Sequence, residues 1–134
     1  MSIIAVILVQ FKTTKEMAMK IFSPRVHGYL DYFVVIAFLF APMLFNFSGI
    51  PAKISYAIAG VHLLVTISTD FPLGLIKVIS FKLHSTIEFI VPFILIVLPW
   101  LLGFASISSA RNFYLAAGIT IFIVWLITDY KIAR

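Results

Sequence analysis

Four stretches of the chain are apolar almost throughout, and polar, glycine or proline residues separate them. They cover residues 26–47, 52–69, 83–104 and 113–130. At 1.5 Å per residue, helices of about twenty residues match a hydrocarbon core ~30 Å thick. Ser23-Pro24 supplies a cap and a first-turn proline for the first span. Asn46, Ser48, Gly49 and Pro51 mark the turn into the second. Thr69-Asp70-Phe71-Pro72 ends that helix, because proline lacks a donor and restricts the residue before it. Pro92 lies well inside the third span and predicts a bend, while Pro99 sits near its exit. Trp100 follows, an aromatic suited to the membrane–water boundary. A Ser-rich turn with Arg111 covers 105–112. The pattern predicts an all-α, four-transmembrane-helix bundle over residues 22–130.

The segments outside the spans are shorter. Ser2 to Phe11 is apolar and is followed by Lys12, Lys15, Glu16 and Lys20. It is too short to cross and has no preceding basic region of the secretory kind. Residues 1–21 are therefore expected to be an interfacial or disordered leader. Met17 or Met19 offers an alternative start, since the pattern needs nothing before Phe22. The connector 71–81 places Leu73, Leu75, Ile76, Val78 and Ile79 around Lys77. Such a segment is expected along the interface with its lysine turned to water. Residues 131–134 form a basic tail.

Composition agrees with lipid as the solvent. The 134 residues are 63% apolar and 11% charged, against about 25% charged in soluble domains, and so small a core could not hide that surface. No cysteine is present, which excludes disulfides and thiolate metal sites. With four spans, Lys12, Lys15, Lys20, Arg25, Lys77, Lys82, Lys131 and Arg134 fall on one side, and only Lys53 and Arg111 on the other. That bias places both termini in the cytoplasm of a bacterial inner-membrane, multi-pass protein. The net charge of +5 then meets anionic lipid headgroups, and no nucleic acid is expected as a partner.

The chain also repeats itself. Residues 25–47 align with 82–104, with identities at His27/His84, Val34/Val91, Pro42/Pro99, Leu44/Leu101 and Phe47/Phe104. Arg25/Lys82, Asp31/Glu88 and Tyr32/Phe89 keep their chemical type. Thr69-Asp70-Phe71 answers Thr128-Asp129-Tyr130 at an offset of 59. Repeat 1 covers about 25–71 and repeat 2 about 82–130. Each holds two spans, which makes them parallel-repeat helical hairpins about an axis along the membrane normal. The whole resembles the SPW repeat family of small bacterial and archaeal membrane proteins, named for a Ser-Pro-Trp signature. The corresponding sites read Ala41-Pro42-Met43 and Leu98-Pro99-Trp100. The resemblance covers about residues 22–130 and implies a fold of two helical hairpins, with no activity attached.

His27 and Asp31 share a helical face, as do His84 and Glu88. Asp70 and Asp129 close the even-numbered spans at the same membrane side, with Arg25 and Lys82 within reach. These groups are read first as structural, tying helices together and suiting the helix dipole. A metal site of His27, Asp31, His84 and Glu88 is the sharper alternative, since imidazole and carboxylate supply N/O ligands to a borderline divalent ion. A proton or ion pathway is the other. His62 is placed deeper, with a role in an interhelical hydrogen bond, and lacks a counterpart in repeat 2. Gly60 and Gly118, with Ala57, Ala59, Ala116 and Ala117, offer small surfaces for packing. No catalytic motif and no cofactor motif is found. The sequence favours a non-enzymatic structural or accessory partner of a membrane complex, in contact with lipid and with a membrane protein or a second copy. The alternative is a small oligomeric proton, ion or solute transporter using the histidine–acid cluster.

Overall fold

The computed structural model of the chain describes residues 2–18 and 21–131. The described residues form five helices and no strand: α1 (Ile3–Ala18), α2 (Pro24–Leu44), α3 (Ile50–Ser68), α4 (Phe81–Leu101) and α5 (Ser108–Ile127). Met19, Lys20 and the end of the basic tail lie outside the described residues. The last four helices are 19 to 21 residues long and apolar enough to cross a membrane. At most 39% of the most apolar stretch of any of them is buried within the protein. Phe33, Leu64, Ile94 and Val97 are among the large side chains left exposed. So much outward apolar surface is tolerated where hydrocarbon is the solvent. The fold is that of a multi-pass membrane protein.

Helix starts and ends follow local chemistry. Ser23 caps α2 by accepting from the Val26 amide (3.3 Å), and Ser80 caps α4 by accepting from Leu83 (3.1 Å). At the far end of α2, Asn46 adopts φ 52° and the Phe47 amide donates to Pro42 O (3.0 Å). At the far end of α4, Gly103 adopts φ 72° and the Phe104 amide donates to Pro99 O (2.8 Å). Both are Schellman closures, which need a left-handed residue just past the helix and an apolar one after it. Phe47 and Phe104 are accordingly buried. The matched prolines and phenylalanines thus belong to one helix-ending device.

Two boundaries differ from the sequence reading. Residues 108–112, expected as a turn, begin α5, because Ala110 is fully buried and draws the Ser-rich start into the packed helix. At the other end, residues 128–130 leave the helix: Asp129 N donates to Phe22 O, and Phe22 N donates to Ile127 O (both 3.0 Å). The leader is helical over α1, and its side chains from Ser2 to Thr14 are exposed except for half-buried Ala5.

α2 packs along α3 and α4 along α5, with a smaller contact between α2 and α5. The connector folds back on the end of α3, whose Ile67 and Ser68 carbonyls accept from Leu75, Ile76, Val78 and Ile79. Asp70 N also donates to Ile79 O (2.7 Å). These pairings and those of Phe22 gather the starts of α2 and α4 and the ends of α3 and α5 into one layer. Lys77 is exposed, and Phe71 is fully buried against the Phe81 ring. In the opposite half Tyr114, fully buried, donates to Pro51 O (2.8 Å) and lies 3.2 Å from Ser55 Oγ, joining α5 to α3.

Only one of the two expected packing glycines packs. A Cβ on Gly118 would sit 2.9 Å from both Pro92 O and Ile96 Cγ1, whereas one on Gly60 would meet nothing within 4 Å. Its neighbour Ala59 is buried instead. Gly118→Val is expected to lower stability by about 1–3 kcal/mol through overpacking, and Gly60→Ala to leave it unchanged or raise it by up to about 1 kcal/mol. Thermal unfolding in one detergent tests both, and equal losses would contradict the packing described.

Candidate metal centre

The i,i+4 spacing on α2 sets His27 above Asp31, and the same spacing on α4 sets His84 above Glu88. All four side chains are buried, at 0%, 2%, 0% and 5% exposure respectively. One ligand atom from each lies within 4.8 Å of the others. Asp31 and Glu88 each lie seven residues into their helices, about 10 Å from the helix start. Neither acid is in a first turn, so their expected match to the helix dipole does not hold. Arg25 and Lys82, expected as counter-charges, are exposed. The ion pairs found among the described residues are all histidine–carboxylate.

Two threonines decide how the imidazoles face. Thr128 Oγ1 donates its one proton to Val124 O (2.7 Å), so it must accept from His27 Nδ1–H, 3.0 Å away. Thr69 Oγ1 likewise donates to Val65 O (2.7 Å) and accepts from His84 Nδ1–H (2.8 Å). Each ring therefore carries a proton on Nδ1 and turns Nε2 towards the other histidine, the two nitrogens lying 3.5 Å apart.

Around these nitrogens the carboxylates close a ring of contacts. His27 Nε2 is 3.3 Å from Asp31 Oδ1 and 3.2 Å from Glu88 Oε2. His84 Nε2 is 3.3 Å from Asp31 Oδ2 and 3.5 Å from Glu88 Oε1. Charge-assisted N–H···O bonds are shorter, about 2.7–2.9 Å, and Asp31 Oδ2 makes no hydrogen bond. Each carboxylate instead divides its two oxygens between the two imidazoles, and the four residues stand close enough together for one ligand atom of each to converge on a single ion. Two imidazoles and two carboxylates form an N2O2 donor set for a first-row divalent ion.

An outer layer holds the donors in place, as is usual around metal ligands. Tyr130 donates to Glu88 Oε2 (2.5 Å), and its ring stands edge-on to His27. Burial pushes the Tyr130 phenol far above its ordinary range, and the Glu88 charge raises it further, so it stays protonated as a donor. Phe81 packs against both imidazoles, and Phe71 lies behind His84.

The sequence picked out all four members of this group. It also grouped Asp70 and Asp129 with them, but the four donors that converge do not include either. Asp129 Oδ1 instead accepts from the Lys131 amide. The residues hydrogen-bonded to the imidazoles at Nδ1 are the neighbouring Thr69 and Thr128, whose signal was their place in the matched Thr-Asp pairs. His62, expected deeper and apart, lies 3.7 Å from Asp31 Oδ1. It sits six residues before the end of α3, which gives it nearly the depth of Asp31 in the antiparallel α2.

No family model, curated protein or solved structure matches the chain.

Glu88→Ala would remove one of the two carboxylates facing the imidazoles and leave the Tyr130 hydroxyl without its acceptor. It is expected to cost about 3–5 kcal/mol of stability, as when one partner of a buried ionic group is removed. The thermal midpoint in detergent reads this directly, and a wild-type midpoint would show that the centre carries no structural load.

Proposed function

We propose that the chain is a membrane metal-binding protein that holds one divalent ion of zinc-like ligand preference between His27, Asp31, His84 and Glu88. The observation that carries this is the convergence of two inward-facing Nε2 atoms and two buried carboxylates, one ligand atom from each lying within 4.8 Å of the others. The ion's charge balances Asp31 and Glu88 while both imidazoles remain neutral, which suits a low-dielectric position. An anchor or assembly partner of a membrane complex would need only paired helices. The centre goes further, since it is built to hold something.

The frame is a duplicated pair of parallel hairpins of the SPW repeat type, with a pseudo-twofold axis along the membrane normal. Matching details support it. Ser23 and Ser80 cap alike, Asn46 and Gly103 close alike, and Thr128 and Thr69 each hold the histidine of the other hairpin. Equivalent residues also meet each other, His27 with His84 and Ser55 with Tyr114, as residues near a twofold axis do. The placing of both termini in the cytoplasm of an inner membrane rests on the lysine and arginine bias. A proton or ion pathway is the second reading, favoured by His62 beside Asp31.

Protein purified in detergent and supplied with zinc, iron(II) or manganese(II) is expected to carry about one ion per chain by elemental analysis. The Asp31→Asn, Glu88→Gln double variant should carry less than about a tenth of that. Thr69→Val and Thr128→Val should each weaken binding about 10–100-fold. Size-exclusion profiles check that the variants fold. Equal metal in the double variant would exclude the site. Proton or cation flux in liposomes without retained metal would favour the pathway.

Orientation has its own test, because the chain has no native cysteine. In intact cells, Ser106→Cys should react with an impermeant maleimide and Lys77→Cys only after lysis. The reverse result would place the termini outside.

A further inference from the structure

A cavity of about 320 Å³ opens between α3 and α4 and leads to the centre. His62, His84 and Glu88 line one end, Ile54 and Leu98 the other, and Ile121 of α5 is also in its wall. Glu88 lies seven residues into α4 and Leu98 seventeen, so the cavity runs from roughly 10 Å to 25 Å into a core ~30 Å thick. Apart from those three polar residues its wall is aliphatic, without an aromatic ring. Such a wall fits a flexible hydrocarbon chain better than a flat ring system. At its polar end His62 Nε2 is buried, makes no hydrogen bond and lies 3.7 Å from Asp31 Oδ1.

The corresponding cleft between α2 and α5 has a different character. It is smaller, about 200 Å³, and Phe33, Phe38 and Phe113 line it. At the offset that matches Thr69 to Thr128, Ile121 stands where α3 has His62. The two hairpins share the centre, but of these two clefts it is the one between α3 and α4 that carries titratable side chains.

We propose that the α3–α4 cavity seats a neutral single-chain lipid with a hydroxyl head, its chain along the aliphatic wall and its oxygen at His62 beside the centre. A charged or zwitterionic head would be costly about 10 Å inside the hydrocarbon. A hydroxyl is not, and it offers both the lone pair and the proton that an imidazole nitrogen without a hydrogen bond can use. The contact with His62 stands without the metal. An additional contact of the oxygen with the ion rests on the metal-binding reading above.

The test uses the full chain in phosphatidylcholine nanodiscs with a diazirine-bearing dodecanol as probe, with and without chelator. Label is expected in the peptides of α3 and α4 that line the cavity. Unlabelled dodecanol should compete for it, and dodecylphosphocholine should not. Ile58→Trp, which fills the cavity, and His62→Leu, which removes the polar contact, should each reduce labelling about tenfold, with size-exclusion profiles confirming that both variants fold. Retention of label after chelation supports the His62 seat whatever the metal content. Its loss on chelation, with metal measured on the same samples, supports a seat completed by the ion. Label spread equally over the α2–α5 cleft, or displaced equally by the phosphocholine, would overturn the proposal.

Discussion

A buried imidazole has two nitrogens, and both must be given a role. Thr69 and Thr128 meet that constraint, and much of the structure near the centre depends on how they do so. Each threonine hydroxyl is spent on the carbonyl four residues back, at 2.7 Å, and so presents only an acceptor to the histidine. In the same place the chain leaves its helix and pairs with the segment before α2 or α4. One residue therefore takes part in ending a helix, stitching two chain segments and selecting a tautomer. With Nδ1 engaged, each Nε2 is left for the interior, where Asp31 and Glu88 wait.

Much of this was legible in the sequence. Four apolar runs of spanning length could only be four helices, and the i,i+4 pairs had to share a face. Matched histidines and acids in the first and third spans accordingly pointed to one site. The choice between Thr69 and Asp70, and between Thr128 and Asp129, was not legible. Adjacent residues at a helix end point in different directions, and only the backbone turn decides which one reaches inward. Chemistry favoured the acids, and geometry favoured the hydroxyls. His62 was judged from its distance to Asp70, although its relevant neighbour was Asp31 in the antiparallel helix. Gly60 misled for a similar reason. Two glycines at similar places looked equivalent, yet the offset of 59 matches Gly118 to Ala59, which is the buried one.

The centre and its surroundings obey different symmetries. His27 with Asp31 and His84 with Glu88 form a balanced set, one pair from each hairpin. Around them the balance ends: His62 adjoins Asp31, and Tyr130 is bonded to Glu88. The two hairpins contribute matched pairs to the centre, while the residues around it differ from one hairpin to the other. The two lateral clefts show that divergence, one aliphatic and open to the polar groups, the other filled with phenylalanine rings.

The closures at the ends of α2 and α4 have a consequence for how such a chain can vary. In each, the amide of a buried phenylalanine is bonded back to the carbonyl of a proline inside the helix. The register of α2 and α4 is thereby locked before the turn begins. Spare length in the turn is taken up beyond the lock, as the shift from an offset of 57 to one of 59 requires. Loop growth on that side of the membrane is mechanically uncoupled from the donors on α2 and α4, which gives the chain a tolerant rim around a fixed interior.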